Sequence, residues 1–293
     1  MNALLAPRHL ESVLREELGT RAVDQHGRLF VVNDDQRALW AQNTWFDVQR
    51  FQFKSISEAV RHLRGIQRNW ALHSVAAHRR AKLIQEQLPV LKPKRVVFPS
   101  PLPAAPLGSW TLLDENTMLF AASCSSPFVD GEPEFEENKN DPPSRAYLKL
   151  WEHFTLQGRW PTTGEKVLDL GSSPGGWTWV LDQLGCDVVS VDKAPLAESL
   201  KLSGRVRYLE QSAFALEPRE IGKVDWLFSD IICYPERLLE LVRKWRPFAA
   251  NMVCTIKCQE PTNHAIIQEF LKIPESRCMH LFNNKHELTW FTI

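Results

Sequence analysis

The segment Asp169-Leu-Gly-Ser-Ser-Pro-Gly-Gly-Trp177 places three glycines, two serines and one proline between an apolar strand pattern and an apolar helix pattern. Residues 166–170 predict a short strand that ends at a turn. We expect Ser173 to cap the following helix and Pro174 to be its first residue, since proline lacks the N–H that would be unpaired there. Residues 186–192 predict a second strand. Strand, glycine loop, helix and strand form half of a nucleotide-binding sheet, whose ligand lies at the carboxyl ends of the strands.

The nature of the ligand follows from two positions in this unit. Asp192 ends the second strand about 20 residues past the loop, the spacing at which a carboxylate reaches ribose hydroxyls. A dinucleotide fingerprint needs G-x-G-x-x-G, and Ser173 stands where the second glycine should be. That glycine lets the backbone approach a pyrophosphate. Its absence favours an adenosine ligand without phosphates, and S-adenosylmethionine (SAM) fits. The alternative is a tight strand–helix turn that binds nothing.

Composition narrows the class of protein. The chain has 293 residues, 44% of them hydrophobic and 24% charged, which allows one large domain or two modest ones. We find no apolar run that could span a bilayer and no signal-peptide pattern at the N-terminus. The six cysteines do not stand at zinc-binding spacing, so we expect free thiols, no metal site and a cytoplasmic location.

Strand and helix patterns alternate through the C-terminal half. They predict an α/β domain with a mainly parallel sheet and an antiparallel hairpin at one edge. The expected strands are 166–170, 187–191, 205–209, 224–229, 249–256, 277–283 and 286–292, and the expected helices are 174–184, 195–203, 235–246 and 262–272. The expected segments are a smaller α+β accessory domain over 1–88, a proline-rich linker over 89–108, a connecting segment over 109–143 and the α/β domain over 144–293.

Charge is unevenly distributed although the net charge is zero. Between Arg50 and Lys82 eight Lys/Arg face a single acid, whereas eight acids face a single base between Asp114 and Asp141. Such a basic stretch suits RNA phosphates, with Trp70 and His73 placed to stack a base. The alternative is a solvated helix face that the acidic segment neutralises. The candidate RNA-binding residues are Arg61, Arg64, Arg68, Arg79, Arg80 and Lys82.

Four further residues could carry chemistry. Asp230 and Lys257 follow predicted parallel strands, Glu287 lies beside the final hairpin, and Lys149 lies on a helix that leads into the sheet. Singly, each could be an ordinary surface charge. Together they suit methylation of a ribose hydroxyl, whose proton must leave during attack on a methyl sulfonium. A lysine can accept that proton only if its pKa is depressed, by burial or by a second cation, and Lys149 near Lys257 would supply the cation.

From about Pro143 onward the chain resembles the FtsJ-like SAM-dependent ribose 2′-O-methyltransferases. The motifs SRAYLKLWE, DLGSSPGGWT, VVSVD, FSD, TIK and KHELTW occur in the family's order. The resemblance implies a Rossmann-like class I methyltransferase sheet. It also implies methyl transfer from SAM to a ribose 2′-hydroxyl in structured RNA, and the substrate it favours is large-subunit ribosomal RNA. It implies a catalytic tetrad of Lys149, Asp230, Lys257 and Glu287, with Lys257 as the base. The implied SAM-binding residues are Ser144, Asp169, Gly171, Ser173, Pro174, Gly175, Gly176, Trp177, Asp192, Ser212 and Asp230.

One position departs from the family pattern. Relatives usually carry an aspartate after the third strand, where it contacts the adenine amine, and this chain has Ser212 there. The adenine would then be held more weakly, or by Gln211 or Ser212. Two other functions stay open on the sequence: an RNA-binding or assembly factor with an idle methyltransferase fold, and a small-molecule methyltransferase. The complete tetrad weighs against both.

Overall fold

The computed structural model describes residues 1–91, 95–102, 105–258 and 262–292. Contacts divide the chain into two compact units, residues 1–135 and 136–293. Parts of the expected linker (92–94 and 103–104) and of the expected α/β domain (259–261 and 293) lie outside the described residues. None of the helices in the described part of the chain has the length and hydropathy that a membrane crossing requires.

The first unit contains two sheets. The first sheet has the order β2-β3-β1-β4-β9, and all its neighbours are antiparallel. Its strands are β1 (Asn2–Leu5), β2 (Ala22–His26), β3 (Leu29–Val32), β4 (Asn43–Phe46) and β9 (Ser123–Cys124). Helix α1 (Glu11–Leu18) buries Val13, Leu14 and Leu18, the apolar positions that helical spacing places on one face.

The second sheet of this unit has the order β5-β8-β7-β6. Its strands are β5 (Gln49–Gln52), β6 (Trp70–Leu72), β7 (Gly108–Leu112) and β8 (Thr117–Ala121), and only β6 and β7 run parallel. Two helices, α2 (Ile56–Ile66) and α3 (His78–Gln87), belong to the same core. Helix α2 begins after Ser55, whose hydroxyl accepts the N–H of Glu58, an N-cap of the usual kind.

The structure changes the domain boundaries expected from the sequence. Strands β7 and β8 fall in the expected connecting segment 109–143, yet they complete the second sheet of the first unit. The division between the units lies after Phe135 rather than at residues 88 and 144. The boundary depends on pairing between strands that are distant in the sequence. Local composition therefore cannot predict it.

The second unit is an α/β domain built on a sheet with the order β12-β11-β10-β13-β14-β16-β15. Its strands are β10 (Lys166–Leu170), β11 (Asp187–Asp192), β12 (Val206–Glu210), β13 (Val224–Ser229), β14 (Ala249–Lys257), β15 (Ser276–Met279) and β16 (Glu287–Thr292). The first five are parallel, and β16 pairs antiparallel with both β14 and β15. The mainly parallel sheet with an antiparallel hairpin edge is therefore confirmed.

Helices cover this sheet. They are α4 (Tyr147–Gln157), α5 (Gly176–Gln183), α6 (Glu198–Lys201), α7 (Pro218–Ile221), α8 (Pro235–Trp245) and α9 (His264–Leu271). Leu238, Leu239 and Val242 of α8 pack with the buried strand residues Leu227 and Met252 in one core. The central strands are buried on both faces, which is why their sequences are almost continuously apolar.

Several expected element bounds shift. The helix after the glycine loop begins at Gly176, and its N-cap is Gly175 at φ +119°, so Ser173 and Pro174 lie in the turn before it. The chain bends at Gly175 in a conformation that side chains rarely tolerate, and the helix can start only beyond it. The expected strand 277–283 ends at Met279, and the expected helix 195–203 shortens to four residues, 198–201.

Candidate active site

A cleft of about 400 Å³ opens at the carboxyl ends of β10, β11, β13 and β14. This is the edge at which ligands of open parallel sheets bind, because the strand order reverses there. Its size falls in the range of ordinary ligand sites. Its lining within the described residues is Ser144, Ala146, Asp169, Gly171, Ser172, Ser173, Pro174, Gly176, Trp177, Asp192, Asp230, Ile231, Ile232 and Lys257.

The glycine loop forms one wall of the cleft through close backbone approach. Gly171 has φ +77°, and a Cβ there would lie 2.7 Å from Cβ of Ile231. A Cβ at Gly176 would lie 2.4 Å from Oγ of Ser144. Both distances are shorter than real Cβ contacts, so only glycine lets these segments meet.

Asp192 stands at the end of β11, opposite the loop. Its Oδ2 accepts the N–H of Ser173 at 3.0 Å, and its Oδ1 accepts the N–H of Ala194 at 2.9 Å. These bonds hold the carboxylate at the cleft wall. The hydroxyl of Tyr208 donates to the carbonyl of Asp192 at 3.1 Å, which also fixes the end of the strand.

Asp169 lies deeper, at the end of β10. It is buried and accepts a hydrogen bond from Oγ1 of Thr178 at 2.7 Å. Burial raises the pKa of Asp169 to about 7, against the opposing effect of the Thr178 hydrogen bond. The carboxyl at the floor of the cleft is thus poised between its two protonation states near neutral pH.

Asp230 and Lys257 belong to a network of ion pairs that contains two lysines and two carboxylates. Nζ of Lys149 lies 3.1 Å from Oδ2 of Asp230 and 2.5 Å from Oε1 of Glu287. Nζ of Lys257 contacts Oδ1 of Asp230 and lies 2.5 Å from Oε2 of Glu287. Each carboxylate therefore touches both ammonium groups. The four residues that the sequence predicts to act together therefore lie in one network of ion pairs.

Strand register explains this arrangement. Lys257, the last residue of β14, stands directly opposite Glu287, the first residue of β16. Asp230 follows the neighbouring strand β13. Lys149 reaches the same point from the first turn of α4. Four segments that are distant in sequence thus meet at one corner of the sheet.

The electrostatics differ from the sequence expectation in one respect. Burial disfavours the charged form of Lys257, but the carboxylates of Asp230 and Glu287 outweigh it and raise the pKa of that amine. Burial likewise opposes ionisation of Asp230, yet Lys149 and Lys257 lower its pKa. The expected depression of the Lys257 pKa is therefore wrong, because a second cation brings no net positive charge when two anions accompany it.

Two polar residues at the site escaped the sequence analysis. Oγ of Ser172 is buried in the cleft lining with no hydrogen-bond partner among the described residues. Oγ1 of Thr255 donates to Oδ1 of Asp230 at 2.5 Å. Ser172 lay inside the glycine loop itself. Thr255 stands two residues before Lys257, and this period of two places both side chains on one face of β14.

Four of the expected cofactor or catalytic residues are absent from the cleft lining in the described part of the chain. Lys149 and Glu287 lie behind its lining in the described residues, and Gly175 packs on Leu200, where a Cβ would lie 2.3 Å from Cδ1. Ser212, expected near the adenine, is likewise absent from that lining and lies in the turn after β12. Ile231 and Ile232, which follow Asp230 in the sequence, are part of the cleft lining although they were not among the expected residues.

The candidate RNA-binding residues lie in the first unit. Arg61 and Arg64 are on α2, Arg68 follows it, and Arg79, Arg80 and Lys82 are on α3. All are exposed except Arg80, which is half-buried, 3.9 Å from a carboxylate oxygen of Glu115 and over the ring of Phe53. Among the described residues, Arg80 is the one of the six with an ion pair to the acidic segment.

The aromatic residues expected to stack a base do not do so. Trp70 is fully buried, and its Nε1 donates to the carbonyls of Leu63 and Gln67. His73 is buried with Nδ1 2.9 Å from Oδ2 of Asp130. Both side chains are buried in the first unit, Trp70 on β6 and His73 directly after it.

Comparison with known proteins agrees with this geometry. Residues 142–287, about half of the chain, match the FtsJ-like methyltransferase family, and this segment belongs to that family. Ribosomal RNA large subunit methyltransferase M of Aggregatibacter aphrophilus is 29% identical over 168 residues, which are 51% of this chain and 46% of that protein. The protein of the same name from Saccharophagus degradans is 39% identical over 132 residues, which are 43% and 37% of the two chains.

The matched segments thus span less than half the length of these curated relatives. Among solved structures, TrmN from Thermus thermophilus aligns with 99% of this chain and 98% of its own, at 13% identity and a TM-score of 0.41. The family membership expected from the motifs is confirmed, and the second unit is a methyltransferase domain.

Proposed function

We propose that this protein transfers a methyl group from SAM to a ribose 2′-hydroxyl of structured RNA, and that the RNA is large-subunit ribosomal RNA. The observation that carries the proposal is the network of Lys149, Asp230, Lys257 and Glu287 beside the cleft. Methyl transfer to an amine nitrogen has no need of such a network, because the nitrogen attacks with its own lone pair. A hydroxyl group is a weak acid and needs a base.

The residues of the cleft fit SAM. The glycine wall admits a ligand close to the backbone, and the Asp192 carboxylate faces the position of ribose hydroxyls in such sheets. The buried hydroxyl of Ser172 offers a donor or acceptor to a ligand. When bound, SAM supplies an electrophilic methyl group on a sulfonium.

The network can remove the hydroxyl proton. Asp230 and Glu287 hold Nζ of Lys257 at the cleft edge, and Nζ of Lys149 contacts both carboxylates. Lys257 first loses its own proton, which the contacting carboxylates pass on to solvent. The neutral amine then accepts the proton of the ribose hydroxyl as the oxygen attacks. Placing the hydroxyl in line with the methyl group supplies the remainder of the rate enhancement.

Two observations support RNA as the substrate. The matched relatives are named as ribosomal RNA methyltransferases. The first unit also presents exposed arginines on α2 and α3, and Arg61, Arg64, Arg68 and Arg79 have no carboxylate within 4.0 Å among the described residues. Unpaired arginines on helix surfaces suit RNA phosphates.

The test is methyl transfer from labelled SAM to unmodified large-subunit ribosomal RNA. The product is digested to nucleosides and identified by mass spectrometry, and SAM binding is measured by calorimetry. Lys257→Ala should lose at least about a thousand-fold in rate, as expected for loss of a general base, and should keep SAM binding. Lys272→Ala, at an exposed lysine after α9, is the control.

A 2′-O-methylated nucleoside made by the wild type and by Lys272→Ala, but not by Lys257→Ala, would support the proposal. A base-methylated product would contradict it. SAM binding without transfer to ribosomal, precursor or transfer RNA would favour an idle RNA-binding factor.

A further inference from the structure

The connection between β13 and α8 carries two exposed side chains with apolar surface, Ile232 and Tyr234, that the proposed reaction does not use. Ile232 is 91% exposed and Tyr234 is 63% exposed. Ile232 lines the cleft together with Asp230 and Lys257. Hydration of a branched alkyl group and of an aromatic ring is unfavourable, so contact with a ligand would stabilise both. Single exposed apolar residues are common on surfaces, but these two stand within four residues of Asp230.

This connection is anchored at both ends. Ile231 packs directly on the glycine loop, where a Cβ on Gly171 would lie 2.7 Å from Cβ of Ile231. The carbonyl of Tyr234 accepts the N–H groups of Arg237 at 3.1 Å and of Leu238 at 3.2 Å, and the buried Pro235 begins α8. A fixed backbone presents the two side chains at low entropic cost, which favours binding.

Given the proposed function, we infer that Ile232 and Tyr234 form the contact surface for the base of the nucleotide that enters the cleft. The 2′-hydroxyl must reach Nζ of Lys257, and the base is attached to the adjacent ribose carbon. The base therefore lies at the edge of the cleft, where Ile232 is part of the lining and Tyr234 follows two residues along the same connection. An alkyl group and an aromatic ring contact the face of a base and do not read the hydrogen-bonding edge. This surface should accept any base, and selection of the target must come from RNA shape.

The test compares RNA binding and kinetics across four variants. Tyr234→Leu and Ile232→Ser remove the two contacts, Tyr234→Phe keeps the ring, and Leu202→Ser alters an equally exposed side chain (84%) outside the cleft lining. The first two should raise KM for large-subunit ribosomal RNA about ten- to hundred-fold, as loss of base stacking does. KM for SAM should stay unchanged in the two Tyr234 variants and in Leu202→Ser, whose side chains lie outside the cleft lining.

Ultraviolet cross-linking supplies a readout that does not depend on turnover. Irradiation of the wild type with unmodified large-subunit ribosomal RNA should cross-link the peptide that contains Tyr234, and Tyr234→Phe should retain that cross-link. Wild-type kinetics in Tyr234→Leu and Ile232→Ser, with no cross-link at this peptide, would overturn the inference and leave the proposed function standing. A cross-link at Tyr234 without any methyl transfer would overturn the proposed reaction and support the contact.

Discussion

At the scale of single residues, charge balance governs the candidate site. Asp230 and Glu287 each contact Lys149 and Lys257, so two positive and two negative groups share one buried corner. Removing one member leaves an uncompensated charge, which in a partly buried site is strongly unfavourable. The network explains why the pKa of Lys257 rises although the amine is largely buried.

The raised pKa of Lys257 gives a pH prediction. Only the neutral amine can accept a proton, so the wild-type rate should rise with pH across the neutral and mildly alkaline range. Glu287→Gln removes one anion, which makes the ammonium form less favourable and lowers the pKa of Lys257. The alkaline limb of the pH–rate profile should therefore shift to lower pH, with a lower maximal rate.

The profile is measured with labelled SAM and ribosomal RNA. Glu269→Gln, at a carboxylate of α9 that pairs with Arg243 and Lys272, should leave it unchanged. If the alkaline limb of the pH–rate profile does not shift in Glu287→Gln, that limb does not reflect the ionisation of Lys257.

A second residue-level prediction concerns Asp192. Asp192→Ala removes a carboxylate at the cleft, and hydrogen bonds to charged groups contribute about 1.5–3 kcal/mol. The Kd for SAM should rise about ten- to hundred-fold. Calorimetric titration checks it, with Asp187→Ala as control because Asp187 is exposed at the opposite end of the same strand. Equal affinity in both variants would mean that the ribose is held elsewhere.

At the scale of elements, α4 supports the site with two residues one turn apart. Lys149 enters the network, and Glu152, on the same face, is buried and accepts the N–H groups of Phe282 at 2.6 Å and Asn283 at 2.9 Å. The loop that Glu152 holds leads from β15 into Glu287. Helix α4 thereby positions one catalytic candidate directly and another through its loop.

Glu152 should also give the protein a pH-dependent stability. Burial raises the pKa of Glu152 to about 7, against the hydrogen bonds from Asn283 and Phe282. The folded protein therefore holds a proton that the unfolded chain releases near pH 4.5, the ordinary value. Stability should fall as pH rises between these two values, by on the order of 1 kcal/mol per pH unit.

Glu152→Gln should remove this contribution. The amide leaves one N–H donor of the loop unpaired, so it should also cost about 1–3 kcal/mol at low pH, where wild-type Glu152 is neutral. Urea unfolding from pH 5 to 8 measures both effects. A difference between wild type and variant that does not change with pH would refute the titration of Glu152 in this range.

At the scale of the whole molecule, the chain joins a methyltransferase domain to a unit with a basic helix surface. The exposed arginines lie in residues 1–135, and the cleft lies in residues 136–293. Residues 144–293 contain equal numbers of basic and acidic residues. Under the proposed function, attraction to RNA phosphates therefore comes mainly from the first unit.

Charge reversal tests this division of labour. Arg68→Glu combined with Arg79→Glu should weaken binding to ribosomal RNA and lower the slope of log K against log salt by about 1 per lost phosphate contact. The Kd for SAM should not change. Arg243→Glu combined with Lys272→Glu, on the second unit, is the matched control. If both double variants show the same salt slope, the basic surface does not bind RNA phosphates and is only a solvated helix face.

Much of the second unit could be predicted from local patterns. Strand length, the glycine loop and the residues at strand ends follow from periodicity and turn chemistry, which act over a few neighbouring residues. For that reason the placement of Gly171, Asp192, Asp230 and Lys257 at one sheet edge was already clear. The order of the motifs in the sequence likewise indicates the FtsJ-like family.

The tertiary structure decided the features that depend on contacts between residues distant in the sequence: the domain boundary, the burial of side chains and the pKa of Lys257. Strands β7 and β8 joined the first unit through pairing across the chain, and Trp70 turned inward because its sheet has a core to fill. The pKa of Lys257 reversed its expected direction because Asp230 and Glu287 surround it. Local sequence carries backbone preference, whereas burial and the neighbouring charges of a side chain arise only when separate segments meet.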